Sequence, residues 1–193
     1  MLEAWQQEHL TAGALLAVQA RRSRLAHGQV EVSLPNGGQR PLEPGEASHI
    51  IKGVVEQFAP RVLAQPHVIL ISQPGDKLYV ADNQTLAAAG IAIQVSELLP
   101  DAILIDIGTK PVHIWFVEAV ATDGPIDDAR KSALSEWALR QGLSPENCRF
   151  LTAFASRGGL PARRRLKDLA QNSLAWFADE PGEVLEWREL PPE

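Results

Sequence analysis

Two acidic residues, Asp101 and Glu118, lie near the outer ends of two adjacent hydrophobic segments. Asp101 begins the segment DAILID, Glu118 stands near the end of HIWFVEAV, and the turn residues 108–111 separate the two segments. An antiparallel hairpin brings the start of its first strand beside the end of its second, so the two carboxylates would be neighbours. Two converging carboxylates in apolar surroundings form an oxygen-rich site of the kind that binds Mg²⁺. The alternative is a hairpin whose terminal carboxylates are simply solvated.

The composition is typical of a globular protein. The 193 residues suffice for one domain with a full core and a small appendage, and 45% of them are hydrophobic and 22% charged. No apolar segment reaches the roughly 20 residues that span a bilayer, and Glu3 and Glu8 ahead of the first apolar patch are atypical of a secretory signal. The single cysteine, Cys148, excludes an internal disulfide and a cysteine-cluster zinc site. These features predict a cytoplasmic protein without membrane contact.

Positive charge is concentrated although the net charge is −6. The negative total argues weakly against non-specific coating of nucleic acid. One basic cluster comprises Arg157, Arg163, Arg164, Arg165 and Lys167. Such a cluster is either a solvated helix face or a surface that contacts phosphates.

The N-terminal quarter of the sequence predicts a small appendage followed by a helix. Apolar residues at helical spacing predict a helix over 1–25, and the two prolines and the turn residues within 35–45 predict a linker there. From Glu46 an apolar stripe at spacings of three and four predicts a second helix, which we expect to end at the Ala59–Pro60 step. This organisation places a domain boundary at residue 44.

The remaining segments alternate between strands and helices. Predicted strands cover 68–72, 78–82, 148–154, 173–179 and 183–187, in addition to the hairpin, and predicted helices cover 83–90, 126–141 and 160–171. Alternation of this kind indicates a mixed α/β sandwich with helices on both faces.

Short motifs in a fixed order give the sequence a family resemblance. They are LEPGE, VVEQFAPR, GDKLYVAD, LPDAILID, FVEAVATDGPI, FLTAF and AWFADEP. From about Leu42 to Trp187 the chain resembles the C-terminal catalytic domain of the BsuBI/PstI restriction endonucleases, which belong to the PD-(D/E)xK nuclease superfamily. The resemblance implies a restriction-endonuclease-like α/β core, in which helices flank a central mixed β-sheet. It assigns 45–193 to this catalytic domain and 1–44 to a helical appendage with a linker.

The same resemblance implies roles for individual acidic residues. Pro100-Asp101 matches the superfamily's Pro-Asp signature, so Asp101 is expected to ligate the metal. Glu118 matches the acid of the second half-motif, and the backbone carbonyl of Ala119 is expected to be a further ligand. Glu46 matches the helix-borne acid that often completes such sites. The alternative for Glu46 is a charge that complements the dipole of the helix it begins.

The sequence departs from the superfamily's pattern at residue 120. A lysine usually stands two residues after the second acid, where it positions the attacking water, but this chain has Val120. The BsuBI/PstI family itself shows a Glu-Ala-Val pattern here. Lys52, nearly two helical turns after Glu46, and Lys77, at a predicted turn, are the candidates for the missing cation. A lysine at such a position is more often a solvated surface residue, which is the alternative for both.

The resemblance implies a Mg²⁺-dependent endonuclease that hydrolyses phosphodiester bonds of double-stranded DNA in restriction or another anti-phage defence. Arg157, Arg163 and Arg164 are candidates for contacts to the DNA backbone. Because cutting a duplex requires two cleavages, a homodimer is expected. Family members carry a sizeable N-terminal region that contributes to DNA recognition, whereas about 44 residues precede the catalytic domain here. Specificity is therefore expected either to come from a partner protein or to be slight.

Two other functions remain open at the level of sequence. The first is a weak or inactive nuclease-fold subunit that binds DNA or protein within a larger defence complex, which the valine at position 120 favours. The second is a structure-specific or RNA-directed nuclease. The retained Asp101 and Glu118 favour catalysis, because a chain without catalytic activity has no physical need for two converging acids.

Overall fold

In a computed structural model of the protein, the described residues are 28–72, 79–81, 99–122 and 124–188, with residues 13, 14, 16–18 and 87. Residues 13, 14 and 16–18 are helical, as is residue 87. The remainder of the predicted helices over 1–25 and 83–90 lies outside the described residues. The helix of the appendage predicted for residues 1–44 is therefore not tested by the structure and stays a prediction.

A two-stranded antiparallel hairpin opens the described chain. Its strands are β1 (Val30–Ser33) and β2 (Gln39–Leu42), with Val30 opposite Leu42. The prediction of a linker over 35–45 is wrong, because 39–42 form a paired strand. Alternation in β1 turns Val30 and Val32 into the hydrophobic core, and Leu42 joins them there. Proline at position 41 is tolerated because β2 is an edge strand.

Seven further strands form one mixed sheet within the described residues. In chain order they are β3 (Pro66–Ile71), β4 (Tyr79–Val80), β5 (Ala102–Asp106), β6 (His113–Val120), β7 (Cys148–Phe154), β8 (Ser173–Phe177) and β9 (Val184–Trp187). Their order across the sheet is β4-β3-β5-β6-β7-β8-β9. Strands β6, β7 and β8 run parallel, and the other neighbouring pairs are antiparallel. Helices lie between consecutive parallel strands, as a parallel connection requires.

Helices cover both faces of the sheet. From residue 46 to 62 the chain forms α1 (Glu46–Gly53), a π-helical segment (Val54–Phe58) and α2 (Ala59–Val62). Later come α3 (Asp128–Arg140), a 3-10 turn (Pro145–Asn147), α4 (Leu160–Arg165) and a second 3-10 turn (Leu166–Asp168). The hairpin and the helical segments over 46–62 pack on one face, against Val68, Leu104, Trp115, Val117, Leu151 and Ala153. On the other face, α3 packs against Ile103, Phe116 and Phe150. The predicted α/β architecture, a mixed sheet between helices, is thus confirmed.

The helix that begins at Glu46 continues beyond the predicted end at Ala59–Pro60. The chain passes through the π-helical segment and stays helical to Val62. Proline lacks an amide hydrogen and normally breaks a helix. Here Pro60 falls in the first turn of α2, directly after the wider π-helical turn, where the missing donor costs least.

A buried carboxylate, Asp106, fixes the turn of the hairpin formed by β5 and β6. Its Oδ1 accepts hydrogen bonds from the amides of Gln65 (2.8 Å) and Gly108 (3.1 Å), and its Oδ2 accepts one from Ala64 (2.9 Å). Burial raises the pKa of Asp106, but these backbone donors and the charge of His113 outweigh it and lower the pKa below its usual value. Asp106 therefore ties the turn to the segment that precedes β3.

The described helices include no candidate for a membrane-spanning segment. Among them, none combines the length and the apolarity that a membrane-spanning helix requires.

Candidate active site

The hairpin of β5 and β6 brings Asp101 and Glu118 together. Ala102 lies opposite Val117 in the antiparallel register, so Asp101 and Glu118 occupy the next pair of positions. The Oδ2 atom of Asp101 accepts a hydrogen bond from the amide of Ala119 at 2.8 Å. This bond fixes the carboxylate of Asp101 against the end of β6. The structure thus confirms the predicted pairing of the two segments.

Glu118 is a buried carboxyl group with a perturbed pKa. Its side chain is 13% exposed, and burial, followed by the charge of Asp101, raises its pKa to about 7. The charge and the hydrogen bonds of Arg130 act in the opposite direction without cancelling this effect. Two close carboxylates out of water cannot both ionise freely. A divalent cation bound between them would relieve this repulsion.

Arg130, in the first turn of α3, contacts Glu118 directly. Its Nε and Nη2 atoms donate to Oε1 of Glu118 at 2.8 and 2.6 Å, and Nη2 also donates to the carbonyl of Leu99 at 3.0 Å. The side chain of Asp127 caps α3 by accepting from the amide of Arg130 at 2.7 Å. No motif of the sequence predicted a role for Arg130. A cation in the first turn of a helix opposes the helix dipole, which is a signal that an acidic group compensates it.

A cleft opens beside Asp101 on the face of the sheet that α1 covers. Its lining includes Asp101 and Ala119 from the hairpin, Ser48 from α1, Ser72 after β3 and Thr122 after β6. Glu46, at the start of α1, is exposed to solvent, while the next two residues line the cleft. As the acid in the first turn of α1, it complements the helix dipole. Its role as a third acid of the site stays a prediction.

The donor set fits one divalent cation held by few protein ligands. Asp101 and Glu118 offer carboxylate oxygens, and the carbonyl of Ala119 accepts a hydrogen bond from Ala121 at 3.1 Å, which leaves a second lone pair. Mg²⁺ commonly takes one or two carboxylates and keeps several waters. Within the described part of the chain, no three His, Cys, Asp or Glu side chains converge in a metal-binding arrangement. The residues therefore fit a cation whose remaining ligands are water or substrate.

The two candidate lysines are placed differently. The ammonium group of Lys52 donates to the carbonyl of Glu31 at 2.5 Å and lies 3.4 Å from Oε1 of Glu56, so it faces the hairpin of β1 and β2. Lys77 lies outside the described residues. The side chain of Val120 is buried in an apolar cluster with Phe154, Ala162 and Phe177. A catalytic role for either lysine stays a prediction.

The basic cluster divides between two surfaces. Arg157 forms ion pairs with Glu180 (3.2 Å) and Glu183 (3.1 Å), and its guanidinium lies over the ring of Phe177. Arg163 is exposed on α4.

Arg164 and Arg165 line a second cleft with Val120, Ala121 and Thr122. Ala121 and Thr122 also line the cleft beside Asp101, so the two clefts meet along the end of β6. Arg164 therefore lines a basic cleft that adjoins the cleft beside Asp101.

The whole fold is similar to a known nuclease. The structure of SdaI restriction endonuclease matches this chain with a TM-score of 0.73 and 26% sequence identity, over 91% of this chain and 54% of SdaI. The architecture is therefore that of the restriction-endonuclease-like proteins, as the sequence predicted.

The sequence profile of the BsuBI/PstI restriction endonuclease domain matches residues 30–189. This chain belongs to that family. It is 28% identical over 159 residues to the type II restriction enzyme BsuBI of Bacillus subtilis, covering 81% of this chain and 48% of BsuBI. The chain thus spans about half the length of both relatives.

Proposed function

We propose that this protein is a Mg²⁺-dependent endonuclease that hydrolyses phosphodiester bonds of double-stranded DNA. The observation that carries the proposal is the pairing of Asp101 with the buried Glu118 at the end of the β5–β6 hairpin. It occurs in a chain that belongs to a restriction endonuclease family. We assign the activity to restriction or another anti-phage defence in the cytoplasm.

The residues of the site would share the work of binding the metal and the substrate. Asp101, Glu118 and the carbonyl of Ala119 would hold the cation. Mg²⁺, when bound, would lower the pKa of a coordinated water and offset charge on the scissile phosphate. The amide of Ala119 holds the Asp101 carboxylate in place, so this ligand needs little reorganisation on binding.

The basic cleft would bind the DNA backbone. Arg164 and Arg165 line this basic cleft, which meets the cleft beside Asp101 at Ala121 and Thr122. Arginine contacts to phosphate supply affinity without reading sequence. Recognition of a particular sequence would then come from a partner protein or from residues outside the described part of the chain. A homodimer would allow both strands to be cut.

Cleavage assays with matched variants test the proposal. Purified protein is incubated with supercoiled plasmid and with phage DNA in Mg²⁺ or in EDTA, beside Asp101→Asn and Glu118→Gln. The control is Glu136→Gln, which also removes one negative charge, from a glutamate on α3 whose side chain is 74% exposed.

We expect cleavage in Mg²⁺ by the wild type and by Glu136→Gln, and a loss of at least about a hundredfold in the two site variants. No Mg²⁺-dependent cleavage under any condition would refute the activity. Cleavage that survives both site substitutions would show that the assigned carboxylates are not the catalytic ones.

A second candidate function is a nuclease-fold subunit that binds DNA without cutting it. Two observations favour it: Val120 is buried where the superfamily carries lysine, and Lys52 contacts Glu31 and Glu56. Gel-shift assays on the same DNA distinguish the two functions. Binding that persists in EDTA, with no cleavage in Mg²⁺, would support the subunit over the enzyme.

A further inference from the structure

We infer that Arg130 is a positioning residue of the carboxylate site, where it orients Glu118 and supplies positive charge beside the two acids. The inference rests on the proposed function, because it assigns a role within the same site. Arg130 lies on α3, ten positions beyond Val120, which stands where the superfamily usually has its lysine.

The geometry of Arg130 joins both acid-bearing segments. Two of its nitrogens donate to the same oxygen of Glu118, which restricts the rotation of that carboxylate. Nη2 also binds the carbonyl of Leu99, two residues before Asp101. A single guanidinium therefore holds β6 and the start of β5 in a fixed relation. Charge-assisted bonds from arginine are strong and directional, so they suit this purpose.

The position of Arg130 on its helix is unfavourable without Glu118. The first turn of a helix carries partial positive charge, and cations are disfavoured there. The residues before it, Asp127 and Asp128, follow the usual preference for acids at that end. Arg130 departs from the preference, and the structure compensates by placing its side chain, 27% exposed, against a carboxylate that is 13% exposed. The arrangement is therefore specific rather than an incidental surface contact.

Arg130 and a metal ion can share Glu118. A carboxylate has two oxygens, and both contacts from Arg130 go to Oε1. With Asp101 and Glu118 ionised, Arg130 leaves the three side chains with a net charge of −1, and its removal leaves −2. Arg130 therefore weakens cation binding electrostatically while it fixes the geometry that turnover requires.

Three variants test the inference, with the melting temperature of each confirming that it is folded. Arg130→Gln removes the charge. Arg130→Lys keeps the charge but loses the contact of two nitrogens with Glu118, and Arg140→Gln is the control. Arg140 ends the same helix, and its guanidinium is 4.0 Å from Glu136 at an exposed position. Mn²⁺ affinity is measured by calorimetry without DNA, and single-turnover plasmid cleavage is measured at saturating Mg²⁺.

Two opposite changes are expected in Arg130→Gln. Mn²⁺ should bind about three- to tenfold more tightly because the competing cation is gone, while cleavage should slow by about 10- to 100-fold because Glu118 is no longer oriented. Arg130→Lys should retain wild-type Mn²⁺ affinity within about twofold and recover part of the cleavage. Arg140→Gln should match the wild type in both assays. If Arg130 were a purely structural residue, Arg130→Gln would weaken Mn²⁺ binding and lower the melting temperature together, and Arg130→Lys would restore neither property.

Unchanged cleavage in Arg130→Gln, or unchanged or weaker Mn²⁺ binding, would overturn the inference. A wild-type protein that cuts no DNA would refute the proposed function separately, and the Mn²⁺ affinities would then decide the charge role of Arg130 alone. If Arg130→Gln does not fold, Arg130→Lys decides the positioning role. Its cleavage must fall at least about threefold below that of Arg140→Gln, because a lysine cannot reproduce the two-pronged contact.

Discussion

Glu118 should make the stability of the metal-free protein fall as the pH rises. In the folded state its pKa is raised from 4.5 to about 7, first by burial and then by the charge of Asp101. The folded protein therefore holds the Glu118 proton more tightly than the unfolded chain does. The protonated Glu118 therefore contributes fully to the free energy of unfolding below pH 4.5, and this contribution is lost progressively as the pH rises through 7. At about 1.4 kcal/mol for each pH unit, the shift of the pKa from 4.5 to about 7 corresponds to about 3.5 kcal/mol in the free energy of unfolding.

Urea unfolding at pH 5 and pH 8.5, in EDTA, measures this effect in the wild type and in Glu118→Gln. The glutamine variant cannot ionise, so its free energy of unfolding should rise relative to the wild type by about 2–3 kcal/mol between the two pH values. Saturating Mg²⁺ at pH 8.5 should stabilise the wild type and leave the variant nearly unchanged. Glu136→Gln, which retains Glu118 and changes an exposed residue, should match the wild type in both its pH dependence and its stabilisation by Mg²⁺.

The reasoning is refuted if the difference between wild type and Glu118→Gln is the same at both pH values. In that case the buried carboxyl group either remains solvated in the folded protein or is fully neutralised by Arg130. If the pH effect appears but Mg²⁺ does not reverse it, Glu118 is a buried acid without a role in binding the metal.

Asp106→Asn should destabilise the protein by about 2–4 kcal/mol at pH 7, because a neutral amide is a weaker acceptor than the buried carboxylate for its three backbone amide donors. The folded pKa of Asp106 is lowered, so the difference in urea unfolding should shrink as the pH falls below about 3.8; an equal difference at pH 2.5 and pH 7 would contradict this. Val120→Lys should not increase cleavage and should cost about 2–4 kcal/mol at pH 7, with a smaller cost towards pH 10 as the buried amine loses its proton; faster cleavage would show that position 120 reaches the substrate. Arg164→Ala should weaken DNA binding and reduce the salt dependence, the slope of log K against log salt, by about 0.9. Arg157→Ala should leave that slope unchanged, since its guanidinium pairs with glutamates, and the opposite ranking of the two variants would place the DNA surface elsewhere.

Local pattern was sufficient to predict the centre of the sheet. The two apolar segments of β5 and β6 and the turn between them specify an antiparallel pair, and a slip of one residue would move side chains such as Phe116 to the opposite face of the sheet. The pairing of Asp101 with Glu118 follows from that register alone. The strand at 148–154 was likewise predicted at its observed bounds, because most of its seven residues are apolar and it follows the turn residues around Pro145.

Local pattern was insufficient wherever contacts with residues distant in sequence change the secondary structure of a segment. Turn residues and prolines over 35–45 indicate irregular structure, but Leu42 is drawn into the core that α1 shares with the sheet. Pro60 predicts a helix end, yet the preceding π-helical turn and the packing of Phe58 against Trp115 and Trp176 keep the chain helical. Tertiary packing outweighs local preferences of a few kcal/mol in such places.

The sequence by itself determined the family, the central hairpin and the meeting of the two carboxylates, since the motifs and the hairpin depend on short-range order along the chain. The tertiary structure alone decided which cations accompany them. The ammonium group of Lys52 lies near the carboxylate of Glu56, and the guanidinium of Arg157 lies near that of Glu180. Arg130, in contrast, reaches Glu118 from the first turn of α3. Long basic side chains have many rotamers, and their charges settle against whichever acidic group the fold brings within reach.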